Sequence, residues 1–467
     1  MRNGVNNLTK INSWMNDITA CFAFLKYCLG YKGNMSRMVA GMDWQELYSF
    51  ASKQALLGLC FEGIERLGEE YPEELKRNPI GRELLMTWMG KAQQIRRQNM
   101  KVNAVASKLF SMLREDGMRC CILKGQGNAL MYPNPYSRTP GDIDVWIDAS
   151  RERIMEYAQK KFELGDDIRL QHLETSLDGV PVELHFFPCS MNNPIFHARL
   201  QKWFKRNADL QCSHIVGLPD GAGDIAIPTT AFNVVYQLTH LYHHFFDEGI
   251  GMRQIIDYLL VVCDFYKVYQ NSSKITPSLF TLKEGSTSHP DPLTLREEGE
   301  TAPSRRSEPL RSKVGGPSKV SPGCAGWDRL EMEGDSSATS CSSTAVASSS
   351  SAVTLEVMQR ELKYLGLWKF AGAVMYVLRE VLGLSEEKMI APMDEKRGKL
   401  LLAEILNGGN FGQHFTKYGH FTQQGMAKKY FLKIWRNMHF VRYYPAEALS
   451  EPIFRTWHFF WRMKNKK

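Results

Sequence analysis

The chain has 467 residues, 43% hydrophobic and 23% charged, with a formal net charge of +8, enough for two to three domains and a large core. The mild basicity suits an anionic substrate without by itself meaning nucleic acid. Ten cysteines without a Cys-x-x-Cys pair, and no run near the ~18 apolar residues of a spanning helix, exclude a disulfide scaffold and a membrane-spanning protein and leave a soluble, cytoplasmic one with reduced thiols.

The apolar patch at 18–29 is interrupted by Lys26 and has no plausible cleavage site, so it is not read as a signal peptide. Residues 36–115 show helical spacing, as in Trp44, Leu47, Phe50, Ala51 and again in Val105, Leu109, Phe110, Leu113. Gly117 stops the last of these helices before a strand at 118–123. The turn Lys124-Gly125-Gln126-Gly127 follows, then a short helix at 128–132 and a proline-rich loop at 133–140. Asp142-Ile143-Asp144-Val145-Trp146-Ile147 alternates like a strand, so both carboxylates share a face while Ile143, Val145 and Ile147 enter a core. Such a pair repels itself unless a cation intervenes, and hard divalent ions choose oxygen ligands of this kind.

A helix is expected over 150–162, giving a small sheet with helices on one face. The stretch 168–188 reads as a hairpin turning at Asp178-Gly179. Its second arm puts Glu183 and His185 opposite Val180, Val182 and Leu184. Glu183 either completes a three-carboxylate site with Asp142 and Asp144 or lies on the solvated face of an edge strand. Beyond Pro228 the pattern is helical. His240 and His244 stand one turn apart, at metal-ligand spacing but without the glutamate of a zinc-protease helix, so a packing role or a phosphate contact is the simpler reading. Arg253 and Asp257 are placed to pair on one helix face.

Residues 272–352 are rich in Ser, Pro, Gly and Thr, show neither period, and are expected to be a disordered insertion in the C-terminal helical region. Helical spacing resumes at 353, and Gly408-Gly409-Asn410 ends a helix at Leu406. The C-terminal segment mixes Lys433, Arg436, Arg442 and Arg455 with Trp435, Phe440, Trp457, Phe459 and Phe460. It reads as an amphipathic pair with docked aromatics and solvated basic groups, as a nucleic-acid surface, or as a membrane-surface element.

The order of these elements resembles the nucleotidyltransferase superfamily of DNA polymerase β-like fold. Leu123-Lys124-Gly125, Arg138-x-x-Gly141-Asp142-Ile143-Asp144 and Val182-Glu183-Leu184-His185 are more narrowly similar to the uncharacterised bacterial nucleotidyltransferase family. The core resemblance covers about residues 100–190, with a looser one through His240, Arg253 and Asp257. It implies an α+β chain with a polymerase β-like nucleotidyltransferase core, a small mixed sheet with helices, flanked by N- and C-terminal helical regions: 1–99, 100–224 and 225–467.

The implied activity is transfer of a nucleoside monophosphate from an NTP to an acceptor, with two Mg²⁺ (or Mn²⁺) ions on Asp142, Asp144 and Glu183. Gly125 and Gly127 would let the backbone approach the triphosphate, with Lys124 and Arg138 neutralising it and His185, His240 and Arg253 in support. Many superfamily members have Gly-Ser or Gly-Gly at the first turn, the Ser hydroxyl touching phosphate; here the turn is Lys124-Gly125-Gln126-Gly127, as in the narrower family, and Lys124 would supply a cationic contact instead. A sugar, a small metabolite, a protein side chain and RNA all remain open as acceptor. Two rival classes are a catalytically silent nucleotide-binding regulator on the same fold and a helical interaction or scaffold protein.

Overall fold

The computed structural model describes residues 18–164, 169–275, 354–414 and 426–465. The chain opens with helices α1 (18–28), α2 (Ser36–Ala40), α3 (Trp44–Lys53), α4 (Leu57–Glu70), α5 (Pro72–Arg77) and the long α6 (Arg82–Glu115). The Asp43 carboxylate caps α3 by accepting the Gln45 and Glu46 N–H groups. Gly117, at φ +71°, closes α6, and the Met118 N–H returns to the Leu113 carbonyl at 2.8 Å.

Four strands follow: β1 (Cys120–Leu123), β2 (Ile143–Ile147), β3 (His172–Leu177) and β4 (Val180–His185). Their order is β1-β2-β4-β3, with β2 and β4 parallel and the outer pairs antiparallel. This is the expected small mixed sheet of an α+β chain flanked by helices. Asp178 and Gly179 both have positive φ, 51° and 71°, as a two-residue hairpin turn of matching twist requires.

Register fixes what each face carries. Leu123, Asp144 and Glu183 lie side by side across β1, β2 and β4, as do Cys121, Trp146 and His185. The opposite face holds Ile122, Ile143, Val145, Val182 and Leu184, which pack on α6 and on α8 (Arg151–Lys161). Helices cover both faces, not one as expected. Trp146 shares its face with Asp144 yet needs apolar cover, and it stacks on Phe232 with ring centroids 5.9 Å apart. That cover comes from α9 (Pro194–Ser213) and α10 (Thr230–Asp247), which join a second core running from the N-terminal helices to the C-terminal ones. The carboxylate face is thus closed at Trp146 and left polar at Asp144.

Other boundaries move for local reasons. Lys124 adopts φ +51°, which ends β1 abruptly, so the glycine turn itself becomes α7 (Gly125–Ala129) instead of a helix at 128–132. The proline loop contains a single 3₁₀ turn, Pro135–Ser137. A two-stranded ribbon, β5 (Ile215–Gly217) with β6 (Asp224–Ala226), sits against α6. α11 (Met252–Ile275) runs four residues into the expected insertion, the rest of which, 276–352, lies outside the described residues.

α12 (Leu355–Tyr364), α13 (Trp368–Glu380) and α14 (Glu395–Gly408) follow, α14 ending two residues later than expected and capped by Gly409 with φ +63°. α15 (Met426–Met438) and α16 (Pro445–Asn465) complete the chain. Among the described residues, no helix is long and apolar enough to cross a membrane, and eight cysteines are free thiols.

The expected arrangement of the C-terminal pair is inverted in part. Phe440 and Tyr444 are docked, but Trp435, Trp457, Phe459 and Phe460 are exposed. Lys433 and Arg455 instead pair with Asp247 at 2.7 and 2.9 Å, and Arg436 is buried against Glu404 and the Phe245 carbonyl. Asp247 and Glu404 would otherwise be acids left without counter-charge, and this draws the basic side chains inward.

Candidate active site

A cavity opens at the N-terminal end of β2. Lys124, Gly125, Arg138, Asp142, Asp144, His240 and Arg253 all line it, so most residues singled out from sequence converge although they come from segments more than a hundred residues apart. Asp144 is buried on β2; Asp142, just before the strand, is exposed at the mouth. Glu183 is half-buried beside Asp144 on the parallel strand.

Asp144 is the hub. Its Oδ1 lies 3.0 Å from Lys124 Nζ and 3.0 Å from His185 Nε2, which is in turn 3.1 Å from Glu183 Oε2. Burial pushes the Asp144 carboxyl up, but Lys124 and His185 outweigh it and hold the group well below the usual range. Burial also opposes ionisation of Glu183, and His185 again wins and lowers it. On the other side of the pairing, burial works against a charged His185, yet Asp144 and Glu183 raise it to about 9. Asp142 has no such partner. The charge on Asp144 pushes it up to about 6.

Lys124 is held from both sides. Its Nζ is 2.8 Å from His240 Nε2, to which it donates, and His244 Nε2 lies 3.0 Å from the same atom. Burial, reinforced by Lys124, drives His240 well below its ordinary range, so its ring is a neutral acceptor. The His240–His244 spacing therefore serves to position Lys124. The φ of +51° at Lys124 is unfavourable for any residue with a side chain, and such strain, of about 1–3 kcal/mol, concentrates where surrounding structure dictates geometry.

Arg138 reaches the cavity already matched. Its Nε and Nη2 donate to the two oxygens of Asp257 at 2.9 and 2.8 Å, while Tyr132 Oη donates to Asp257 Oδ1 at 2.8 Å. The expected Arg253–Asp257 pair is replaced by this one. Arg253 turns instead to the Thr139 carbonyl at 2.9 Å. A guanidinium presenting two parallel donors from the loop fits Asp257 better than a neighbour on the same helix does. Arg138 Nη1 and Arg253 Nε remain buried without a hydrogen-bond partner. Of the two turn glycines, Gly125 lines the cavity. Gly127 is a packing position, where a Cβ would meet Ile227 at 3.0 Å.

The donor chemistry fits divalent metal. Asp142, Asp144 and Glu183 offer oxygen, and His172, Glu183 and His185 each offer one ligand atom, all within 4.8 Å of one another. His172 escaped the sequence reading; the signal was its place opposite His185 in the hairpin register. It is buried, its Nδ1 is 3.3 Å from Glu183 Oε2, and neither ring nitrogen is hydrogen-bonded. Burial lowers its pKa to about 4, leaving a neutral ring with a lone pair to donate.

Residues 40–269 match the profile of a family described as uncharacterised nucleotidyltransferase. Among solved structures, an antigenic nucleotidyltransferase-like protein from Paracoccidioides brasiliensis is 18% identical, the match covering 34% of this chain and 75% of that one with a TM-score of 0.24. A search of curated proteins finds no match. Through residues 40–269, the chain belongs to the uncharacterised nucleotidyltransferase family.

Proposed function

We propose that the chain transfers a nucleoside monophosphate from an NTP to an acceptor nucleophile. The observation that carries this reading is the meeting of Asp142 and Asp144 with Lys124, Arg138 and Arg253 around one cavity, with Glu183 beside Asp144 on the parallel strand. Asp142, Asp144 and Glu183 would hold divalent ions, Mg²⁺ or Mn²⁺, with His185 and His172 beside them. When bound, such ions neutralise phosphate charge and steady an in-line displacement at phosphorus.

The chain's own groups do the rest. Arg138 Nη1 and Arg253 Nε are buried donors without partners, suited to phosphate oxygens. Lys124 adds a positive charge, and Gly125 lets the backbone come close. Glu183, beside Asp144, either completes the metal site or accepts the proton of the acceptor hydroxyl. The acceptor oxygen bonds to the α-phosphorus, the bond from that phosphorus to the bridging oxygen breaks, and pyrophosphate leaves.

One observation favours the silent nucleotide-binding regulator: Asp144 Oδ1 already holds two cationic partners, Lys124 and His185. Thermal melts with each NTP, with and without Mg²⁺ or Mn²⁺, test the binding step that both readings share. A rise in Tm with nucleotide that metal enlarges supports it, and melts unmoved by any combination overturn both. The transfer assay that closes the Discussion separates enzyme from regulator.

A further inference from the structure

We propose that the outer face of α16, with its basic flanks, docks on an anionic lipid bilayer surface. Leu449, Ile453, Trp457 and Phe460 follow one another by four, four and three residues and so form a single stripe along the helix. All four are exposed, Ile453 at 73% and Phe460 at 62%. Sixteen large hydrophobic side chains are exposed among the described residues, and seven belong to α15 and α16, the other three being Trp435, Met438 and Phe459. Surface apolar residues scattered singly are ordinary; a concentration on one terminal pair of helices is not.

The charges point to the occupant. Residues 426–467 hold ten Lys and Arg against two acids, Glu447 and Glu451, and with Lys433, Arg436 and Arg455 turned inward to Asp247 and Glu404, seven basic residues are left without those acids. Both acids are buried on the side of α16 opposite the stripe. Glu447 accepts the Asn192 and Asn193 N–H groups at 2.6 and 3.2 Å, and Glu451 pairs with Arg455. The outer face thus carries no acid to repel a lipid phosphate, while Arg442 is exposed and Arg462, Lys464, Lys466 and Lys467 end the sequence.

A second copy of the chain would meet this surface with the same positive charge, which opposes self-association. Nucleic acid would use the aromatic members but has nothing to stack on Leu449 and Ile453, whereas acyl chains accept aliphatic and aromatic groups alike. The family match ends at residue 269, well before these helices. The inference stands independently of nucleotidyl transfer.

The test is flotation of the full chain with vesicles of pure phosphatidylcholine and with vesicles containing phosphatidylglycerol. Binding only to the anionic vesicles, weakened by salt and reduced at least tenfold by Ile453→Ser with Phe460→Ser, is the expected result. Quenching of tryptophan fluorescence by lipids brominated on their acyl chains, diminished in Trp457→Phe, gives the same answer without relying on the double variant's solubility. No binding to either vesicle, a dimer in solution that the double variant dissolves, or retention on RNA but not on vesicles would each overturn the proposal.

Discussion

The Arg138–Asp257 pair joins the loop that delivers Asp142 to the helix that delivers Arg253, and breaking it has a calculable cost. Both side chains are almost fully buried and meet through two hydrogen bonds of 2.9 and 2.8 Å. Replacing Arg138 by Met leaves the Asp257 carboxylate in the interior with the Tyr132 hydroxyl as a neutral donor, and stranding one charge of such a pair costs about 3–5 kcal/mol. Asp257→Leu strands Arg138 at a similar cost. The double variant strands neither charge and leaves only the Tyr132 hydroxyl unmatched, about 1–2 kcal/mol. Urea unfolding of the wild type, both single variants and the double variant measures the coupling, expected to exceed about 3 kcal/mol. If a single variant fails to fold, recovery of folded protein in the double variant carries the same information. Single variants that each lose less than ~1 kcal/mol and add in the double would refute the reasoning, because that is the behaviour of a solvated pair.

Lys124 should be more costly to replace by Ala than by Gly, by about 1 kcal/mol in urea unfolding, because only Gly relieves the φ of +51°. Asp142→Asn should raise the melting temperature of the metal-free protein at pH 7, whereas Asp144→Asn should lower its stability by roughly 3 kcal/mol by stranding Lys124 and His185. The sign of the Asp142 effect follows from its raised pKa: its contribution is intact below 3.8 and is lost as pH rises through about 6. The stability difference between wild type and Asp142→Asn, measured by thermal melts, should therefore open across that window, and a pH-independent difference would count against the repulsion. Glu183→Gln should weaken Mn²⁺ binding by on the order of tenfold or more in calorimetry while sparing metal-free NTP affinity.

Local chemistry was legible in the sequence. The alternation through Ile143–Ile147, the Asp178-Gly179 turn and the glycine stop at Gly117 each depend on near neighbours, and each folds as read, although Asp142 falls just before the strand. Lys124, Arg138, Asp142 and Asp144 come together because strand register and one short loop suffice to place them. Partner choice was not legible. Arg138 finds Asp257 119 residues away, although Arg253 lies one turn from that acid, because guanidinium orientation and burial decide the pairing and spacing does not. The second helical cover of the sheet was announced by Leu123 and Trp146, apolar side chains on the carboxylate face. In the C-terminal pair, amphipathic spacing told which residues share a face but not which face turns inward. Asp247 and Glu404 on other helices settled that.

The central claim is that the chain breaks the bond between the α-phosphorus and the bridging oxygen of an NTP and passes the nucleotide on. Each NTP, labelled at the α-phosphate or at the γ-phosphate, should be incubated with the protein, Mg²⁺ or Mn²⁺ and a cell extract, alongside Asp144→Asn. The expected result is an acceptor that carries α-label, with γ-label released as pyrophosphate, in wild type and not in the variant. Transfer of γ-label, or no transfer with any NTP under conditions where nucleotide and metal raise the melting temperature, would contradict it.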